Sequence, residues 1–344
     1  MHPDADTVLE SVALFLIFRR NLRRDPGRRI SAARSAVLAF VIFRAGKTMT
    51  KKSIVEAVHA GRVLVSDGAW GTFLQRKGLK AGECPELWCV DRPAEVRGIA
   101  ASYIEAGADM VETDSFGGTS FKLKHYGLAE RSAEINEAAA RISREAAGDD
   151  HWVIASIGPT GEMLVLEEVS EEELYAAFAV QAVALEKGGA DAVCIETMSA
   201  LDEATLAVRA AKENTALEVI ATFTFERTVQ GDYRTMMGVS PTDAALAMVA
   251  AGADIIGTNC GNGIERMVEI VAEMRAACPH TPILVHANAG LPVHVDGADR
   301  FPETPEDMAR LVPALVRAGA NIIGGCCGTT PEHIKAIAAA ARAL

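Results

Sequence analysis

The chain has 344 residues, 49% of them apolar, only 5% aromatic and 23% charged, with a formal net charge of −12. That length and composition support one large domain or two ordinary ones around a sizeable alanine-rich core. The acidic balance argues against nucleic acid as a partner, and seven cysteines without a regular framework favour reduced thiols in the cytoplasm.

Charge is unevenly distributed. Residues 1–48 carry eight Arg and one Lys against three Asp and one Glu, a net of +5, which leaves −17 for the remainder. The apolar runs Leu14–Phe18 and Val37–Phe43 both fall well short of the roughly 20 residues of a membrane span. The basic stretch follows the first apolar run, the wrong order for a secretory signal. Residues 1–48 therefore read as an N-terminal extension outside the native protein, with Met49-Thr50-Lys51-Lys52 as the start. An Arg-rich organellar presequence is the alternative. The expected domain is 49–344.

From Gly61 onward, short β-branched runs alternate with alanine-rich amphipathic stretches. In chain order the runs are Val63–Ser66, Met110–Thr113, Val153–Ser156, Ala192–Ile195, Val219–Thr222, Asp254–Gly257, Ile283–His286 and Asn321–Gly324. Between them, a helix is predicted from Asp91 or Pro93 to Glu105 and another over Ser132–Ala146. Ser170-Glu171-Glu172-Glu173 is a capping-box start for a helix reaching about Lys187. Pro241, Pro305 and Pro331 sit where helices begin, and Ala-Gly-Ala-Asp or a close variant closes helices at 106–109, 251–254 and 318–321. Eight strand–helix pairs over some 280 residues predict a single (β/α)8 barrel, with a doubly wound open sheet as runner-up. Asp67-Gly68-Ala69-Trp70-Gly71-Thr72 is not a dinucleotide fingerprint, which disfavours that runner-up.

Barrel chemistry sits at the C-terminal strand ends, and the unusual polar residues fall there. Asp67 follows the first strand, Glu112-Thr113-Asp114 end the second, Glu196 ends the fourth, Asn259-Cys260 the sixth, Asn288 follows the seventh, and Cys326-Cys327 end the eighth. Adjacent cysteines bridge each other only with strain, whereas two glycine-flanked thiolates can turn toward one ion. With Cys260 they make a three-sulfur zinc site with an open position. Cys84, Cys89, Cys194 and Cys278 are expected to pack rather than ligate, and His286 carries no assigned role.

These residues resemble the homocysteine S-methyltransferase family of zinc barrels, which includes the homocysteine-binding module of cobalamin-dependent methionine synthase and betaine–homocysteine methyltransferase. The likeness spans about residues 50–344 and rests on Gly324-Gly325-Cys326-Cys327-Gly328, Asn259-Cys260 and the Asp67–Thr72 opening. It implies Zn2+ held by Cys260, Cys326 and Cys327. It also implies that Asp67, Gly68, Thr113 and Glu196 hold the amino-acid end of homocysteine, and that Asn259 can occupy the metal's fourth position when substrate is absent. The implied reaction methylates a zinc-bound homocysteine thiolate to methionine. Where betaine enzymes carry aromatics, this chain has Gly117 and Thr197, and Trp70 and Trp88 match poorly. The chain has no room for a cobalamin module, so the expected donor is methylcobalamin or another methyl-corrinoid on a separate protein. S-methylmethionine, S-adenosylmethionine and betaine are alternative donors, selenohomocysteine or another small thiol an alternative acceptor, and a zinc or thiol sensor the alternative from a different class. No membrane partner is expected, and oligomeric state is not legible.

Overall fold

The computed structural model of the protein describes residues 53–295 and 298–344; the N-terminal extension lies outside the described residues. Eight strand–helix pairs follow in chain order: β1 (Leu64–Val65), α1 (Pro93–Glu105), β2 (Met110–Val111), α2 (Ser132–Ala147), β3 (Trp152–Ile157), α3 (Glu171–Gly188), β4 (Ala192–Met198), α4 (Leu201–Asn214), β5 (Glu218–Phe223), α5 (Pro241–Ala251), β6 (Ile255–Gly263), α6 (Ile264–Ala277), β7 (Ile283–Asn288), α7 (Pro305–Ala318), β8 (Ile322–Gly325) and α8 (Pro331–Ala341). All eight strands belong to one sheet, with β8 between β1 and β7, and β2 paired to β3. The expected barrel is thus present. Two short hairpins not foreseen from sequence, Glu226–Arg234 and Val293–Arg300, rise from the loops after β5 and β7.

Local chemistry explains the helix boundaries. Ser170 and Glu173 form the reciprocal capping box at the start of α3, and Thr304 and Asp307 form another at α7. Gly189, Gly252 and Gly319 end α3, α5 and α7 in the left-handed conformation that only glycine enters without cost.

The acid after these glycines has a second task. Asp109, Asp191, Asp254 and Asn321 open β2, β4, β6 and β8. Each donates its N–H to the carbonyl of one residue on the preceding odd strand (Val65, Val153, Val219 and Ile283) at 2.7–2.9 Å. Each side-chain oxygen also accepts the N–H of that same residue, at 2.9, 2.8, 2.8 and 3.0 Å. A cationic side chain reaches each clamp in turn: Arg62, Arg144, Lys212 and Arg275. The repeat runs four times round the N-terminal rim and ties odd strands to even ones. At the β1–β2 seam the Asp109 clamp is supplemented higher up by the Asp67 carboxylate, which accepts Glu112 N–H at 2.8 Å.

Inward-pointing residues alternate along each strand. The lower layer is apolar, with Leu64, Met110, Ile154, Cys194, Ile220, Ile255, Leu284 and Ile322 in one buried cluster. The helix Ile54–His59 closes it from below with Ile54, Ala57 and Val58, and its first N–H groups donate to Glu218 at 2.7 and 3.1 Å. One step higher the interior is polar, and that layer forms the bottom of the site.

Asn321 performs the clamp in β8 that aspartate performs elsewhere, so Asp254→Asn should be nearly neutral. Asp254→Ala should cost about 1–2 kcal/mol, read as a lowered denaturation midpoint.

Candidate metal and substrate site

Cys260, Cys326 and Cys327 converge at the C-terminal end of the barrel, their sulfurs within 4.8 Å of one another. All three are partly exposed and unbridged. A tetrahedral zinc with Zn–S near 2.3 Å needs sulfurs about 3.8 Å apart, so small side-chain adjustments suffice. Three soft sulfur donors fit zinc. The thiols of Cys326 and Cys327 hydrogen-bond to Cys260, which pulls its pKa down to about 3 and raises theirs, Cys327 to about 12. The turn carrying the pair is fixed by Cys326 N–H on Ala287 O, Ala289 N–H on Cys327 O, and Thr329 bonded to Cys326 O.

Cys260 is not at the end of a strand. β6 continues through it to Gly263, with a register shift against β7 between Asn259 and Gly263. Cys260 sits at φ 57°, and on β4, which is also irregular past Ile195, Thr197 sits at φ 61°. Left-handed backbone costs a residue with a Cβ roughly 1–2 kcal/mol. Asn259 holds both. Its Oδ1 accepts Thr197 N–H at 2.8 Å and Thr222 Oγ1 at 2.7 Å. Its Nδ2 donates to Glu196 Oε2 at 3.0 Å and Thr197 Oγ1 at 2.7 Å. Every hydrogen-bonding position of this fully buried amide is filled, so it has none to offer a metal. The carboxamide that faces the sulfurs is Asn288, hydrogen-bonded to Cys260 and with its Oδ1 unpartnered.

The other expected residues divide. Glu196 accepts Ser156 Oγ and the Asn259 amide, and burial raises its pKa to about 7. Asp67 is completely buried, its carboxylate receiving Ser66 Oγ, Trp70 Nε1 and Glu112 N–H. One of these bonds, from Glu112 N–H, crosses the β1–β2 seam, and burial lifts the Asp67 pKa to about 7. The Thr113 hydroxyl is shared with Ser115 and accepts Ser156 N–H. Next to Gly68, Ala69 N–H is taken by Thr329 Oγ1 at 3.0 Å.

Glu112 and His286 join the same interior layer. Their Oε1 and Nδ1 lie 3.6 Å apart, and with Glu196 they form a second group of candidate ligands within 4.8 Å. Strand alternation places residues 112, 196, 259 and 286 on one inward layer, a signal the sequence carries. Of the remaining cysteines, Cys194 and Cys278 lie in apolar clusters. Burial pushes Cys84 up to about 12 and Cys89 well above its ordinary value.

A parallel eight-stranded barrel with three thiols converging at the C-terminal ends of its strands defines a (β/α)8 protein with a three-cysteine cluster. Residues 64–341 match the family model "Homocysteine S-methyltransferase", and the chain belongs to that family. It is 34% identical to a methionine synthase of Mycobacterium leprae, over 82% of this chain and 24% of that protein. It is 31% identical to betaine–homocysteine S-methyltransferase 1 of Danio rerio, over 84% of this chain and 75% of that one. The chain thus spans about a quarter of the length of the mycobacterial methionine synthases it matches. The fold is shared with the homocysteine methyltransferase MmuM of Escherichia coli. The oxidised form has a TM-score of 0.67 at 23% identity, covering 84% of this chain and 99% of that one. The metallated form has 0.65 at 24%, covering 80% and 96%.

Asn259→Ala leaves Glu196, Thr197 and Thr222 without their partner. It should cost about 2–4 kcal/mol, read as a lowered denaturation midpoint, whereas a substitution at exposed Val229 should leave the midpoint unchanged.

Proposed function

We propose that the protein is a zinc-dependent methyltransferase converting homocysteine to methionine, with the methyl group delivered by a methyl-corrinoid on a separate protein. The observation that carries this reading is the convergence of Cys260, Cys326 and Cys327 on one point at the barrel's catalytic end. Zinc bound there supplies a Lewis acid that lets an alkyl thiol, with a pKa well above neutrality, react as thiolate near pH 7. The chain's own groups orient the substrate. Glu196 pairs with the ammonium group, and the backbone around Gly68 receives the carboxylate.

The surroundings bear on the donor. A quaternary ammonium donor calls for an aromatic cage. Gly117 N–H donates to Glu86 Oε1 at 2.7 Å, and a Cβ at 117 would lie 2.6 Å from that oxygen, leaving no place for a ring without displacing Glu86. Thr197 is committed to Asn259. Trp88 is buried under Arg92, and Trp70 is bonded to Asp67. Meanwhile exposed apolar side chains border the same face: Phe116 after β2, Val165 and Leu166 after β3, Val229 and Met236 after β5. An apolar rim of that kind suits a protein-borne donor better than a small sulfonium. Among the described residues, no helix is long and apolar enough to cross a membrane.

Zinc-loaded protein should form methionine from homocysteine and a protein-bound methyl-corrinoid, with S-methylmethionine, S-adenosylmethionine and betaine as comparison donors. Cys326→Ala should abolish product and lower bound zinc below one equivalent. Tight zinc binding with no transfer from any donor would overturn the reading in favour of a sensor. Because Glu196 titrates near 7, it carries the charge that pairs with ammonium only above that pH. The KM for homocysteine should therefore rise as pH falls below about 7, with a flatter profile in Glu196→Gln.

A further inference from the structure

Two amides lie completely buried in the helical layer outside the barrel: Asn136 on α2 and Gln181 on α3. Both are turned on the loop that follows β2. Gln181 Nε2 donates to Ser115 O at 2.8 Å and to Asn136 Oδ1 at 3.0 Å. Asn136 Nδ2 donates to Gly118 O and to Ser132 O, each at 2.7 Å, and Ser132 Oγ adds a second bond to Gly118 O at 2.6 Å. Every N–H of the two amides is thereby spent. Only glycine fits at 118, because a Cβ there would collide with Asn136 Oδ1 and lie 2.7 Å from Gln181 Nε2. Apolar side chains would pack the α2–α3 contact without the cost of burying amides. What the amides add is two fixed carbonyls in one loop.

That loop is tied on its other sides as well. Gly117 N–H donates to Glu86 Oε1 at 2.7 Å, Ser115 Oγ to Ser156 O at 2.7 Å, and Gly158 N–H to Phe116 O at 2.9 Å. What so firmly held a loop presents is Phe116. Its side chain is 39% exposed and its ring lies against Gly158, where a Cβ would come within 2.6, 2.7 and 2.8 Å of three ring atoms. Phe116 follows the end of β2 and Gly158 the end of β3, across the barrel from β6 and β7. Ring and sulfurs thus border the mouth from different sides, and a broad ligand seated over it meets both. An exposed aromatic in a fixed orientation suits a flat conjugated ligand, because no ordering cost remains to be met on binding.

We infer that Phe116 is a platform for the conjugated macrocycle of the methyl donor, and that Gln181, backed by Asn136, is the positioning residue that holds it there. This rests on the methyl-corrinoid reading above and names the side chain that receives that donor. Gln181 touches neither ligand. It acts through Ser115 O and the loop, so its effect on the donor vanishes once the ring of Phe116 is gone. Binding involves no covalent step.

The test is a double-mutant cycle read by equilibrium dialysis of methylcobalamin against zinc-loaded protein, without homocysteine. Phe116→Ala should weaken methylcobalamin about 3- to 10-fold, the worth of one aromatic contact. Gln181→Met should weaken it by a similar factor, and the double variant by no more than about twofold beyond either single one. Gly158→Ala displaces the ring without touching the amides and should give the same loss, which guards against a folding defect confined to Gln181→Met. Amide hydrogen exchange at Gly118 and Gly158 should quicken in Gln181→Met, while the homocysteine Kd by calorimetry stays within about twofold of wild type in every variant. Additive losses, unchanged methylcobalamin affinity in Phe116→Ala, or equal weakening of both ligands overturns the inference alone. So does a wild-type protein that binds no methylcobalamin yet forms methionine from a protein-bound methyl-corrinoid. No methionine from that donor overturns the parent reading and this inference with it.

Discussion

Four hydrogen bonds made by one buried amide, that of Asn259, join the two halves of the site. On one side they hold Thr197 and the Glu196 carboxylate at the irregular end of β4. On the other, Asn259 precedes Cys260, whose left-handed backbone lets β6 present its sulfur toward the pair on β8. β7 lies between those strands, so the three sulfurs meet only if β6 departs from regular pleating. Such backbone strain persists where surrounding contacts over-determine it, and a fully satisfied buried amide does that.

The barrel separates stability from chemistry by height. Its lower interior is apolar, and its lower rim is stitched by the four Asp/Asn clamps and closed by the helix Ile54–His59. The upper interior gathers Asp67, Glu112 and Glu196, each with its pKa raised chiefly by burial. Packing three acids so closely disfavours their charged forms, and the apolar layer and clamps beneath offset that cost.

Much of this was legible in the chain. Short β-branched runs, capping boxes and glycine stops are local signals, and they located all eight strands and six of the eight helices that follow them; α4 and α6 carry no such start signal. The glycine-flanked Cys326-Cys327 and the isolated Cys260 were visible because their composition is unusual. The Ala-Gly-Ala-Asp endings showed the glycine's role but not the acid's, because the clamp partner is a backbone N–H on another strand. The family resemblance implied Asn259 as an occupant of the metal's fourth position when substrate is absent. In the structure its amide is bonded to groups on β4 and β5.

The sequence by itself determined the barrel, its length, the face that carries chemistry and the sulfur set. Those follow from periodicity and residue type, which are properties of short stretches. Only the tertiary structure decided which polar atoms remain unspent. Asp67, Glu112 and Glu196 look equivalent along the chain. Yet Asp67 accepts Ser66, Trp70 and Glu112 N–H, Ser156 and Asn259 engage Glu196, and Glu112 Oε1 has no donor. Hydrogen-bond satisfaction is a sum over neighbours from distant strands, and the chain's local pattern does not contain it.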